Sequence, residues 1–160
     1  KVVHRTHALL GRPWGPDFRY REVTDTGAGP LGAVRAAALA GGLAAGQGIA
    51  ALRPGRALLR RVVPSPGSGP SPALQEAGHF TLEVRGRAAD GRELTARVTG
   101  DRDPGYGGTA KMLGEAAVLL VDLPHDDHPG GSWTPASLFG ERLVERLEAH
   151  AGLRFDLLDP

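Results

Sequence analysis

The sequence contains no cysteine, which excludes disulfide bonds, thiol nucleophiles and thiolate metal sites. Lysine is nearly absent, because Lys1 and Lys111 are the only two, so the basic side chains are almost all arginines. The 19 basic residues are balanced by 18 acidic ones, which gives a formal charge of +1. This balance offers no electrostatic reason to bind nucleic acid, and we expect no nucleic-acid partner.

The first residues lack the features of a secretion signal, since no long apolar run and no small-residue cleavage site occur there. We expect Lys1 and the residues after it to be the end of an element that begins earlier in a longer protein. The 160 residues suffice for the core of one or two small domains.

Two runs of alternating polarity, residues 78–87 and 92–100, predict an antiparallel β-hairpin. The Asp90–Gly91 pair between them is typical of a tight turn with positive φ. One face of the hairpin is apolar and the other carries arginine, so we expect the second face to be wet. The apolar positions are Phe80, Leu82, Val84, Leu94, Ala96 and Val98.

Residues 31–52 are rich in alanine and glycine, and Arg35 is the only charged residue among them. Their six larger apolar residues favour a bilayer by about 3 kcal/mol, which Arg35 alone offsets. We therefore predict a buried or half-buried helix with close backbone packing, not a membrane span. A helix left unburied here could contact lipid or an acyl chain.

The remaining elements follow from local patterns. Strand formers over residues 17–24 predict a strand, residues 56–63 a short helix, and residues 153–158 a final strand. A helix that ends near Val121 has a predicted apolar stripe of Ala110, Leu113, Ala117, Leu120 and Val121. A second helix starts at Thr134–Pro135, stops at Gly152 and has a stripe of Leu138, Leu143, Leu147 and Ala151.

This order of elements predicts an α+β fold, with a mixed or antiparallel sheet, including the hairpin near 78–100, covered by helices. Residues 64–72, rich in Pro, Gly and Ser, predict a loop or linker. We expect no complete Rossmann domain, although residues 27–32 match the pattern G-x-G-x-x-G. The segment before them is charged, and no acidic residue follows about 20 positions later.

The best candidates for chemistry follow the hairpin. Residues 105–111 resemble a phosphate loop without matching its motif, so they either hold an anion on free N–H groups or form a packed turn. Tyr106 and Lys111 could polarise or protonate a carbonyl-like oxygen, with Asp103 as a third catalytic candidate. Alternatively, Tyr106 packs, Lys111 is solvated and Asp103 caps a turn. The candidates for a substrate cleft are Asp101, Thr109 and Thr134.

Histidines and carboxylates do not form a convincing ligand set. His4 and His7 have no carboxylate near them in sequence, and residues 125–128 lack a distant third ligand. We expect no metal site in this chain.

Three stretches together resemble the C-terminal half of the saccharopine-dehydrogenase-like reductases, which include the trans-acting enoyl reductases. They are VHRTHALLG at residues 3–11, GDRDPGYGGTAKMLGEAA at 100–117 and GGSWTPAS at 130–137. The resemblance implies that a Rossmann domain precedes Lys1 and binds NAD(P), so no cofactor-binding residue is expected here. Residues 1–160 would then be the C-terminal, substrate-side domain of an oxidoreductase.

The same resemblance implies several partners. They are the protein's own nucleotide-binding domain, a lipid-like substrate and a second copy in a homo-oligomer. We expect a cytoplasmic protein, with membrane association as an option. A domain kept only for assembly or lipid association remains an alternative.

Overall fold

A computed structural model describes residues 1–62, 67–124 and 130–158. In chain order its elements are α1 (Val2–Leu9), α2 (Gly29–Ala51), α3 (Arg53–Val62), α4 (Pro72–Ala77), β1 (Phe80–Arg87), β2 (Glu93–Gly100), α5 (Gly107–Val121), α6 (Pro135–Phe139), α7 (Glu141–His150) and β3 (Leu153–Leu158). The chain divides into two compact units, one of Lys1–Arg19 with Pro70–Pro160 and one of Tyr20–Gly69.

The first unit contains a three-stranded antiparallel sheet in the order β1-β2-β3. β1 and β2 form the predicted hairpin, and Gly91 at its turn has the expected positive φ of 88°. β3 adds to the other side of β2, with Leu153 opposite Gly100. The α+β class is confirmed, and no complete Rossmann domain occurs among the described residues.

The core of this unit lies where α5 and α7 pack near one end of the sheet. Its buried centre is Leu147, Ala151 and Leu153, and four partly buried residues pack against it: Val98, Met112, Leu143 and Phe155. The stripe predicted for the last helix thus faces the core at three of its four positions. The helix itself breaks at Gly140, where φ is 54° and ψ is −131°, and so forms α6 and α7.

The stripe predicted for α5 is wrong. Leu113, Leu120 and Val121 are exposed, whereas Met112 packs against the core and Leu119 is buried. The helix has apolar residues on several sides, so its periodicity does not select one face. The position of α7 selects it instead, because these two helices contact each other.

The predicted strand over residues 17–24 is also wrong, since these residues form neither strand nor helix. Phe18 instead joins a ring cluster, with its centroid 4.8 Å from that of His7 and 5.0 Å from that of Trp14. Aromatic residues favour strands only when a partner strand supplies backbone hydrogen bonds. No partner strand lies beside this segment among the described residues.

The second unit contains α2 and α3. The helix predicted over residues 31–52 is present, but its burial was wrongly predicted, because Gly32 is the only buried residue described in α2. Gly32 packs against the carbonyl of Gly27, where a Cβ would overlap. Among the described residues of this unit, α3 is the one other helix that could cover α2. Of the described helices, none has the length and apolar character needed to cross a membrane.

The predicted loop over residues 64–72 lies partly within the described residues. Residues 63–66 lie outside the described residues, and 67–71 form neither helix nor strand. Pro72 already begins α4, which the sequence did not predict, and the Ser71 hydroxyl caps this helix by accepting the N–H of Leu74.

Candidate functional site

The loop between β2 and α5 brings two predicted site residues together. Asp101 directly follows β2, and Lys111 lies on the second turn of α5. The Lys111 ammonium donates to both carboxylate oxygens of Asp101, at 2.9 and 3.0 Å. The side chains are 31% and 51% exposed, respectively, so the pair contributes at most about 1 kcal/mol to stability.

Asp103 forms an internal cap for α5. Its carboxylate accepts the backbone N–H groups of Gly105 at 3.0 Å, Tyr106 at 3.1 Å and Gly107 at 2.6 Å. The bond from Gly107 is the main cause that holds the pKa of this carboxyl below its usual value, assisted by those from Tyr106 and Gly105. The N–H groups that could have held an external anion are thus occupied by the chain itself.

Contacts with α4 and the residue after it hold the capped loop in place. The Asp103 N–H donates to the Gln75 carbonyl at 3.1 Å, and the Gln75 amide in turn donates to the Pro70 carbonyl at 2.8 Å. Gly78 approaches Asp103 so closely that a Cβ there would lie 2.6 Å from the backbone nitrogen of Asp103. These supporting residues were missed, because α4 is short and their contacts bridge more than 20 positions.

Tyr106 and Thr109 lie on the same loop and helix start. Tyr106 is the residue before α5 and its side chain is 55% exposed, so it is not part of the packed core. The Thr109 hydroxyl donates to the Pro104 carbonyl at 2.7 Å, which stabilises the turn. Lys111, Asp101 and the phenol of Tyr106 are therefore among the polar groups that this loop presents to solvent.

Gly152 connects this loop to the C-terminal strand. It has a φ of 70° and lies against the Asp101 carboxylate so closely that a Cβ would overlap the carboxylate atoms. Gly152 also lines an open, polar groove of about 490 Å³, together with Glu148, Leu153, Arg154 and Asp156. The groove therefore adjoins the Asp101–Lys111 pair. Sequence reasoning identified Gly152 only as a helix stop.

Thr134 lies elsewhere. Its hydroxyl is 2.7 Å from that of Thr6 on α1, is buried, and accepts the N–H of Ser137 to cap α6. The structure thus gives Thr134 a packing and capping role, and none of its described contacts is with the loop around Asp101.

Metal ligands do not cluster in the described residues, where no group of three or more His, Asp or Glu side chains could hold an ion. His7 instead stacks on Trp14 and approaches the Gly15 carbonyl at 2.9 Å through Nε2. Residues 125–128, the other candidate metal ligands, lie outside the described part of the chain.

The Asp103 cap makes stability depend on pH. Because the pKa of Asp103 is lowered in the folded state, the cap stabilises the protein at pH values above the ordinary carboxyl pKa near 3.8. This contribution disappears as the pH falls through the lowered pKa. We expect Asp103→Ala to lower Tm by about 5 °C at pH 7, and the difference from wild type to narrow below pH 3.8. Thermal unfolding followed by circular dichroism across this pH range measures it. Asp17→Ala, at an exposed carboxylate, is the control, and a difference that stays constant with pH would contradict the capping role.

The chain is similar to mycobacterial proteins named for an enoyl reductase activity. It is 37% identical over 155 residues to a protein of Mycobacterium tuberculosis strain H37Rv provisionally named as a trans-acting enoyl reductase, with 93% of this chain and 36% of the relative covered. It is 34% and 33% identical to trans-acting enoyl reductases of Mycobacterium ulcerans and Mycobacterium bovis BCG, with 92% of this chain and 36% of each relative covered.

The similarity extends over nearly the whole chain and supports an enoyl-reductase-like family. The chain nevertheless spans only about a third of the length of these relatives. No protein-family model matches it, and no solved structure matches it significantly.

Proposed function

We propose that this chain is the substrate-side domain of an NAD(P)H-dependent enoyl reductase of the saccharopine-dehydrogenase-like type. The observation that carries the proposal is the similarity to trans-acting enoyl reductases over 93% of the chain. The part of those relatives that the chain does not cover is large enough for a nucleotide-binding domain, which we propose as its partner.

The Asp101–Lys111 pair has the chemistry that this role needs. When an α,β-unsaturated carbonyl compound accepts a hydride at its β-carbon, negative charge develops on the carbonyl oxygen. An ammonium group held near that oxygen stabilises the charge. Asp101 fixes Lys111 through two hydrogen bonds, and the exposed phenol of Tyr106 is available as a further donor. The adjoining groove would form one wall of the substrate cleft.

The described residues do not offer a cradle for a dinucleotide. The loop 27–32 follows an irregular segment instead of a strand, and the Gly27 N–H already donates to Asp25 at 2.7 Å. The N-terminus of α5 is filled by Asp103. We therefore propose that NAD(P)H is bound mainly by residues outside this chain.

The sheet has a surface on which another domain could pack. Leu82, Val84, Leu94 and Leu157 share its apolar face and are between 45% and 72% exposed, because the helices cover only the end near Leu153. Exposed apolar side chains grouped on one surface are typical of an interface. This supports a neighbouring domain in the longer protein, with a second copy of the chain as the other occupant to test.

Calorimetry with NADPH tests the proposal that the cofactor is bound outside this chain. We expect residues 1–160 alone to bind NADPH with a Kd of about 1 mM or weaker, because no free anion-binding backbone is present in the sites described. The full-length protein should bind it in the micromolar range and consume NADPH when an enoyl thioester is added. Micromolar binding by residues 1–160 alone would refute the proposed division, and full-length protein that never reduces an enoyl thioester would refute the reductase.

A further inference from the structure

The second unit has an unusual charge pattern. Between Asp25 and Glu76 the sequence contains five arginines and no acidic residue. Four of the arginines, Arg53, Arg56, Arg60 and Arg61, lie on α3 and are exposed. Within the described residues none of them forms an ion pair. The overall charge of +1 is thus a sum in which acidic residues elsewhere offset one strongly basic segment.

The helix before it exposes apolar side chains instead of charges. Arg35 and Gln47 are the only side chains in α2 that carry a charge or an amide. Its larger side chains, Leu31, Val34, Leu39, Leu43 and Ile49, are between 42% and 64% exposed. Four glycines beyond the first turn weaken this helix in water, because each costs about 1 kcal/mol relative to alanine; they are Gly41, Gly42, Gly46 and Gly48.

α3 combines both properties in ten residues. At 100° per residue, Arg53, Arg56 and Arg60 share one side of the helix, whereas Leu58 lies on the opposite side and is 59% exposed. The helix follows α2 through a tight turn, and Gly55 near its start lies against the Ile49 carbonyl, which leaves no space for a Cβ. A basic amphipathic helix next to an uncovered apolar helix fits a surface that is both negative and apolar at shallow depth.

We propose that α2 and α3 form a docking surface for an anionic lipid bilayer. The arginines of α3 bind lipid phosphate and carboxylate groups, while Leu58 and the apolar side chains of α2 enter the interface without crossing the bilayer. A second copy of the chain is a poorer occupant, because it would bring two sets of unpaired arginines together. A nucleic acid would leave the apolar side chains of α2 without a partner.

Co-sedimentation of the full chain with lipid vesicles tests this surface. We expect binding to vesicles of equal parts phosphatidylcholine and phosphatidylserine, little binding to phosphatidylcholine alone, and weaker binding as salt is raised. Since each arginine near such a surface contributes about fivefold in affinity, Arg60→Glu with Arg61→Glu should weaken binding by at least about tenfold. Leu39→Gln with Leu43→Gln should weaken it without any change in charge.

A matched control variant distinguishes binding at a defined site from a general dependence on net charge. Arg85→Glu with Arg87→Glu makes the same change in net charge on the exposed hairpin and should leave vesicle binding nearly unchanged. Equal loss in both double variants, equal binding to neutral vesicles, or no binding by the wild-type chain would each overturn the proposal. A dimer that Leu39→Gln with Leu43→Gln dissociates, without vesicle binding, would also overturn it in favour of a second copy.

Discussion

Gly152→Ala is expected to lower the free energy of unfolding of the sheet-containing unit by about 2–4 kcal/mol. Gly152 has a φ of 70°, a left-handed conformation that costs alanine about 1 kcal/mol or more. The added Cβ would also overlap the Asp101 carboxylate, so one of the two must move. Gly152 has little freedom to move, because it lies between Ala151 and Leu153, which are both in the buried core.

The substitution should also change the candidate site. If Asp101 moves away from Gly152, its two hydrogen bonds with Lys111 are disturbed, and full-length enzyme should lose activity even where it remains folded. Chemical denaturation of residues 1–160 measures the stability effect. Gly11→Ala is the matched control, since Gly11 has a φ of 77° but no atom near the new Cβ. Equal losses of stability in the two variants would show that the Asp101 contact has no energetic consequence.

Lys111→Met is expected to lower kcat of the full-length reductase by about 100-fold, with a change in stability below about 1 kcal/mol. This expectation depends on the proposed function. The decrease in kcat is large because the substitution removes the positive charge that would stabilise the negative charge developing on the carbonyl oxygen. The change in stability is small because the Asp101–Lys111 pair is exposed, which limits its contribution to folding. Steady-state assays with NADPH and an enoyl thioester, beside thermal unfolding, measure both.

A comparable ion pair provides the control. Arg92→Met removes the pair with Asp90, whose atoms are 2.7 Å apart at the exposed hairpin turn, and should leave kcat unchanged. Tyr106→Phe should have a smaller effect than Lys111→Met, because it removes a neutral donor and no charge. An unchanged kcat in Lys111→Met would exclude Lys111 from the chemistry and leave it as a surface ion pair.

Local patterns were sufficient where the structure depends on neighbours in sequence. The hairpin was predicted from alternation around Asp90–Gly91, and α6 from a threonine cap followed by proline. The capping role of Asp103 was one of two open alternatives, and the structure supports it with three backbone hydrogen bonds. Turns, caps and hairpins are determined by contacts within a few residues, so the sequence specifies them directly.

The errors share a different cause. The buried face of α5 depends on α7, and α2 is exposed because only α3 accompanies it among the described residues of its unit. The prediction of a strand over residues 17–24 was wrong because a strand requires a partner strand. Phe18 packs in a ring cluster instead. Apolar composition shows that a segment can be buried, but the elements that pack against it decide which side is buried.

The sequence alone determined the hairpin, the final strand and the existence of most helices, since these follow from turn chemistry and periodicity. Only the tertiary structure placed Gly152 against Asp101, 51 positions away, and brought the loop with Lys111 beside the groove. The physical reason is that local hydrogen bonds are encoded by adjacent residues, whereas a site joins residues that chain packing brings together from distant positions.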